Sequence, residues 1–268
     1  MKKWIVMISI LALFLLAVGC VPPQQMEKPA ESAAGEQKEG RAVFTITDAA
    51  ANMSAVTSVM VTVDSVKVHS TAEGWVTVSS EQKTFDLLKL KAEGSQELLA
   101  DVKLKEGTYQ QVRLDISKVV VVDDKGEHEA KLPSGELKIV GDLVVNANST
   151  STASFDFIAD ESLHLTGNGE YILAPVVKLE TKEDAEVEVK ADHKVEIKKG
   201  KVKTSIKVGM DAEGKVGVGL GIPAKAKVSI AQGKVKVESS LGREEAMENN
   251  GNGSNANVSV KAKVKVGY

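Results

Sequence analysis

Along this chain Val59, Val61 and Val63 share one parity, and Val66 and Val68 take the other. A strand turns successive side chains to opposite faces, so such alternation builds a half-buried strand and not a helix. The parity change near Asp64-Ser65 predicts a bulge or a bend. The same period recurs elsewhere. Phe44 and Ile46 alternate with Thr45 and Thr47, and Gly74-Trp75-Val76-Thr77-Val78 follows a Glu-Gly turn that predicts a hairpin. From Gly107-Thr108 a strand places Val112, Leu114 and Ile116 inward and Gln111, Arg113 and Asp115 outward. Val119 to Val122 runs into the turn signal Asp123-Asp124-Lys125-Gly126. Leu137 to Val145 and Ser154 to Ile158 read as two more strands. Tyr171 to Leu179 is apolar on both faces, as a covered strand would be, and its Pro175 marks an edge or an irregularity. Phe85 to Leu90 (FDLLKL) is short and apolar. Ala50 to Ser58 and Ser95 to Leu99 are expected to hold short helical turns. Aromatic residues make up only 4% of the chain, and Val, Lys, Gly, Ser and Thr dominate, which favours strands joined by turns. The expected fold class is all-β: an antiparallel β-sandwich, immunoglobulin- or transthyretin-like in general architecture.

The N-terminus predicts an address. Lys2 and Lys3 precede Trp4 to Val18, 15 residues without a charge, a length that fits a secretory apolar region and is short for a membrane span. Ala17-Val18-Gly19-Cys20 looks like a bacterial lipobox, with Ala17 where Leu is usual. Cys20 is the only cysteine, so it closes no internal disulfide, and acylation (palmitate and diacylglycerol) would account for an unpaired thiol. Two or more acyl chains anchor stably where one does not. Residues 1–19 are then a lipoprotein signal peptide and residues 20–40 an acylated cysteine with a polar, Pro- and Gly-containing linker. Residues 41–181 form the sandwich domain, and residues 182–268 a basic Val/Lys-rich β-repeat tail. The expected location is the extracytoplasmic face of the cell membrane or outer membrane. A plain signal peptide or an uncleaved helix anchor is the alternative.

The pieces FTITDAA, VTVDSVKVH, GWVTVS, KTFDLLKL, GTYQQVRLDI, LPSGELKI, FDF-ADESL and YILAPVV occur in an order that resembles the prokaryotic domain-of-unknown-function family numbered 4382. The resemblance covers Arg41 to about Leu179, and Ile158 departs from it where an acidic residue is more typical. It implies a secreted or lipid-anchored β-domain and carries no established activity.

From Lys182 the composition shifts. Between Lys194 and Lys236 there are 11 Lys and 3 acidic residues. Lys201, Lys203 and Lys207 interleave with Val202, Thr204 and Val208, and breaks fall at Lys199-Gly200, Asp211 to Gly214, Gly221 to Pro223 and Gln232-Gly233. The pattern is a β-meander with an apolar and a cationic face, or a partly disordered tail, ending in a last strand from Val258 to Val266. The lysines either guard exposed edges or, at Lys201, Lys203, Lys207 and Lys225, meet an anionic surface such as lipid headgroups or envelope polymer. An internal target exists as well. Residues 21–181 carry a net charge of −10 and residues 182–268 a net of +5, so the two halves attract. Nucleic acid is not an expected partner, because no aromatics interleave with the basic residues.

Catalytic signals are sparse. His69, His128, His164 and His193 are scattered, with no HExxH and no GxSxG. Gly217-Val218-Gly219-Leu220-Gly221 lacks the helix that a phosphate loop needs and reads as a flat, loosely packed strand. Asp156, Asp160 and Glu161 are weak candidates for a Ca²⁺ site, against a turn with a helix cap as the plain reading. Asp48 is expected to cap a helix. Arg113 is expected in a cross-strand ion pair before any ligand contact. No cofactor is expected. The leading expectation is a non-enzymatic binding or structural module at the cell envelope. A solute- or glycan-binding lipoprotein would need aromatic platforms from Trp75, Tyr109 and Tyr171. A hydrolase would need carboxylates such as Asp86 and Asp156 to converge.

Overall fold

The computed structural model describes residues 38–48, 53, 55–223 and 226–238. Two sheets carry the fold. The first contains, in spatial order, β16 (Val216–Gly217), β15 (Lys201–Met210), β12 (Val176–Glu183), β9 (Thr150–Phe157), β1 (Glu39–Asp48) and β5 (Glu97–Lys105). The spine of the second is the pair β2 (Val56–Ser70) and β6 (Gly107–Asp123). Along the free side of β2 lie β4 (Lys83–Asp86) and then β3 (Gly74–Ser79). Along the free side of β6 lie β7 (Gly126–Glu129) and β8 (Glu136–Val145). The all-β sandwich read from the alternation is what forms. Among the described residues every strand ladder is antiparallel except that between β1 and β9, which run parallel. Parallel neighbours need a long crossover, and here the crossover includes the whole of the second sheet.

The core lies between the sheets. Phe44 and Ile46 of β1, Phe155 and Phe157 of β9, and Val177 and Leu179 of β12 are buried in one cluster with Val61 of β2, Leu114 of β6 and Ile139 of β8. Each buried aliphatic or aromatic side chain contributes about 1.5–3 kcal/mol relative to exposure. Few aromatics are needed, because β-branched side chains fill the pleat closely.

The parity change in β2 is a bulge, and it has a twin. Val63 faces Ile116 and Ser65 faces Asp115, leaving Asp64 as an extra residue. Thr62 faces Lys118, leaving Ser117 as an extra residue on β6. The Ser117 hydroxyl donates to Asp64 Oδ1 at 2.7 Å, and so does Gln82 Nε2 at 2.7 Å. Both strands therefore change phase together. Val59, Val61 and Val63 stay inward before the step and Val66 and Val68 after it. The outer neighbours change at this level too, from β4 to β3 beside β2 and from β7 to β8 beside β6.

Several local expectations are corrected. The segment FDLLKL is half strand and half helix: Phe85 closes β4, and α1 spans Leu87–Glu93. Asp86 caps it, accepting from the Leu88 and Lys89 amides, and Gly94 ends it in the left-handed conformation at φ 58°. Burial of Leu87 and Leu90 at helical spacing explains the apolar run. Ser95 to Leu99 forms no helical turn, because Glu97 to Leu99 opens β5. Of Ala50 to Ser58, Val56 onward is strand β2, and residues 49–52 and 54 lie outside the described residues. Tyr171 to Leu179 is interrupted at Ala174-Pro175, separating β11 (Tyr171–Leu173), which pairs with β10 (Leu163–Leu165), from β12, as the missing proline donor requires.

Residues 201–210 join the sandwich itself: β15 pairs along β12 from Glu183–Lys201 to Val176–Gly209. Val187–Val189 and Val195–Ile197 form the hairpin β13–β14, and Lys227–Ala231 and Lys234–Glu238 form β17–β18, closed by Gln232 and Gly233 at φ 53° and 72°. The Gly217–Gly221 run is a strand only as far as Gly217. Positive φ at Gly219 and Gly221 then turns the chain and leaves Val218 70% exposed. A Val258–Val266 strand lies outside the described residues.

The matched bulges generate a stability prediction. Deleting Asp64 alone strands Ser117 without its counterpart and should cost about 2–3 kcal/mol. Deleting Asp64 and Ser117 together should recover part of that loss, read as the urea midpoint. A double deletion no better than the single one would contradict the pairing.

Candidate binding face

The outward face of the second sheet collects the polar side chains that alternation displaces from the core. Cross-strand register sets them in rows. Trp75 of β3 faces His69 of β2, which faces Gln111 of β6, which faces Val140 of β8. The next row is Thr77, Lys67, Arg113 and Lys138, and beyond it lie Asp115 and Glu136. Gly74 at φ 69° turns the hairpin that brings Trp75 into the first row.

Trp75 is 40% exposed. The Arg113 guanidinium carbon lies 4.3 Å from its ring centroid, and the His69 ring meets it edge-on at 5.1 Å. A cation on an aromatic face at an exposed site is worth about 0.5–1 kcal/mol. Arg113 also pairs with Glu136 at 3.1 Å, the expected cross-strand ion pair. Lys67 Nζ donates to Asp115 Oδ2 at 2.7 Å. Burial pushes the Asp115 carboxyl up, but Lys67, the Ser65 hydroxyl and Arg113 outweigh it and hold it below the ordinary carboxylate value. Lys138 makes no ion pair among the described residues. His69 Nδ1 and Arg113 Nε, in the two side chains that touch the indole, are buried without a hydrogen-bond partner.

A second polar cluster sits where β6, β7 and β11 meet. Asp123 Oδ1 accepts from the Lys125 amide at 2.8 Å and lies 2.9 Å from His128 Nε2, while Oδ2 accepts the Tyr171 hydroxyl at 2.8 Å. Burial raises the Asp123 carboxyl, yet these three contacts prevail and lower it to about 2. Burial first, and then the Asp123 carboxylate, push the Tyr171 phenol up to about 12. The cluster borders a groove of about 750 Å³ lined by Lys118, Glu129, Lys131 and Glu170.

The chain can now be placed among known proteins. Residues 39–175, just over half of its length, match the family described as Domain of unknown function (DUF4382). The chain belongs to that family. The DUF4382 segment spans β1 to the end of β11 and so includes all of the second sheet, Trp75 and the Asp123 cluster. No curated protein and no solved structure matches the chain significantly.

The residues singled out from the sequence fall as follows. Cys20 and Lys225 lie outside the described residues. Lys201 and Lys203 both reach Glu183, at 3.1 and 3.3 Å, and Lys207 holds both oxygens of Glu161 at 2.7 Å. Lys201, against the opposing effect of burial, leads in holding the Glu183 carboxyl low. These three lysines of the basic segment thus meet carboxylates on the sandwich itself. Asp156 sits opposite Lys178 in the ladder, and burial raises its carboxyl against the pull of that lysine. Asp160 and Glu161 lie in the one-turn helix α2 (Ala159–Ser162). Among the described residues no three His, Cys, Asp or Glu side chains gather as a metal ion would require. Asp48 is a cap at long range, accepting from the Ala159 amide of α2 at 3.1 Å. Of the three aromatics, Tyr109 is buried and donates to the Lys105 carbonyl. Trp75 and Tyr171 belong to different clusters. Asp86 is engaged at the α1 cap in one sheet and Asp156 belongs to the other.

His69 and His128 were legible only as isolated histidines. The parity of β2 turns His69 outward with Lys67, but the partnership with Trp75 needs the hairpin register.

The Asp123 cluster predicts a titration. Because the carboxylate raises the phenol, Asp123→Asn should bring Tyr171 part of the way from about 12 toward the ordinary tyrosine value, read by ultraviolet absorbance at alkaline pH. Since Asp123 is lowered in the fold, its contribution to stability holds above pH 4 and fades as pH falls from about 4 to 2. The Asn variant should lack this acid-side slope.

Proposed function

We propose that this DUF4382 protein is an extracytoplasmic binding module, without catalytic activity, held at the cell envelope by acyl chains on Cys20. The observation that carries the binding role is the half-exposed Trp75, seated on Arg113 and His69 at the β3 edge of a largely polar sheet face. Large aromatics left partly exposed and braced from behind are the residues on which binding energy concentrates. The anchor rests on the apolar leader, the lipobox-like Ala17-Val18-Gly19-Cys20 and the polar linker to Gly40. Lys201, Lys203 and Lys207 act first as internal clamps that hold the basic segment on the acidic sandwich, leaving Lys225 and the more C-terminal lysines for an anionic surface.

Both halves of the reading are testable in the native host. Mass spectrometry of the mature protein should find Cys20 acylated at the N-terminus. A chain that keeps residues 1–19 and a free thiol removes the anchor. Co-sedimentation with isolated cell-envelope polymer should fall about tenfold for Trp75→Ala, the loss of one hot-spot aromatic. Undiminished sedimentation, with unchanged thermal stability, removes the Trp75 face as the binding site.

A further inference from the structure

We infer that the ligand of the Trp75 face is an acidic saccharide chain laid across the strands. This rests on the binding reading above and adds the chemistry of the occupant. The face is formed by four neighbouring strands, and strands lie about 4.8 Å apart, so the rows extend about 14 Å. That suits an extended oligosaccharide rather than a single enclosed small molecule. The first row places an aromatic at one end and the 66% exposed Val140 at the other, with His69 and Gln111 between them. Apolar C–H faces of sugar rings pack on such ends, and hydroxyls meet the polar centre.

Charge selects the acidic class. The second row holds Lys67, Arg113 and Lys138 and no carboxylate. Asp115 and Glu136 balance two of these cations from the far side, away from Trp75. Lys138, at the Val140 edge, has no ion pair among the described residues. Arg113 sets a further condition. Its guanidinium occupies one face of the indole at 4.3 Å, so a cationic ligand over the ring meets repulsion from behind it. An anionic group gains from the same charge. Arg113 Nε and His69 Nδ1, both unpartnered, leave hydrogen-bonding capacity in the two side chains that touch the indole.

The test uses the full chain in detergent micelles and isothermal titration calorimetry with polygalacturonate oligomers as the acidic probe and dextran oligomers as the neutral one. Polygalacturonate should bind and dextran should bind at least tenfold more weakly, the discrimination of one charge-assisted contact of about 1.4 kcal/mol. Trp75→Ala should weaken polygalacturonate about tenfold. Lys138→Gln, an exposed change with no ion pair to break, should weaken it several-fold and reduce the salt dependence. Equal binding of dextran overturns the acidic class and leaves the Trp75 face standing. No binding of either polymer, with envelope sedimentation still dependent on Trp75, overturns the saccharide and points to a protein partner. Polygalacturonate binding indifferent to both substitutions overturns the placement on this face.

Discussion

The long β2–β6 ladder, stepped once by a matched pair of extra residues, is the constraint on which the second sheet depends. Strands of 15 and 17 residues would normally twist and slip out of phase with a flat core. Here Asp64 and Ser117 change the phase of both partners together and hydrogen-bond to each other. The valines on either side of the step all reach the interior. Because the outer neighbours also change at the step, one ladder supports four short strands. Two of them, β3 and β8, bear the ends of the row that contains Trp75.

Electrostatics joins the basic segment to the rest. A net-negative body and a net-positive C-terminal third attract in bulk, but the contacts are specific. Glu183, nearly buried on β12, takes Lys201 and Lys203, and Glu161 takes Lys207. Exposed pairs contribute little singly. The backbone ladder between β12 and β15 does most of the holding, and the pairs fix which lysine lies where. Of the carboxylates that suggested a cation site, Asp156 has Lys178 opposite it in the ladder and Glu161 holds Lys207.

Much of the architecture was legible in the chain because alternation is local. The strands around Val59 to Val68, Gly107 to Ile116 and Leu137 to Val145 follow from parity alone, and so does the bulge. The helix α1 was hidden because Phe85 to Leu90 is too short for a period to declare itself, although Asp86 and Gly94 are a cap at each end. The edge strand β5 was missed because Glu97-Leu98-Leu99-Ala100 breaks alternation where both faces are partly covered. The candidate face was half legible. Parity put Arg113 outward, but the Trp75 contact and the Asp123–His128–Tyr171 cluster join residues up to 48 positions apart, and such partners are set by register and topology.

The start of β1 has a geometric consequence. Glu39 pairs with Lys105, whose ammonium reaches Glu73, two residues before Trp75. The first residues of β1 and the Trp75 hairpin therefore share one end of the sandwich, and Lys105 ties them together, so fraying at Glu39 would loosen the hairpin that carries the indole.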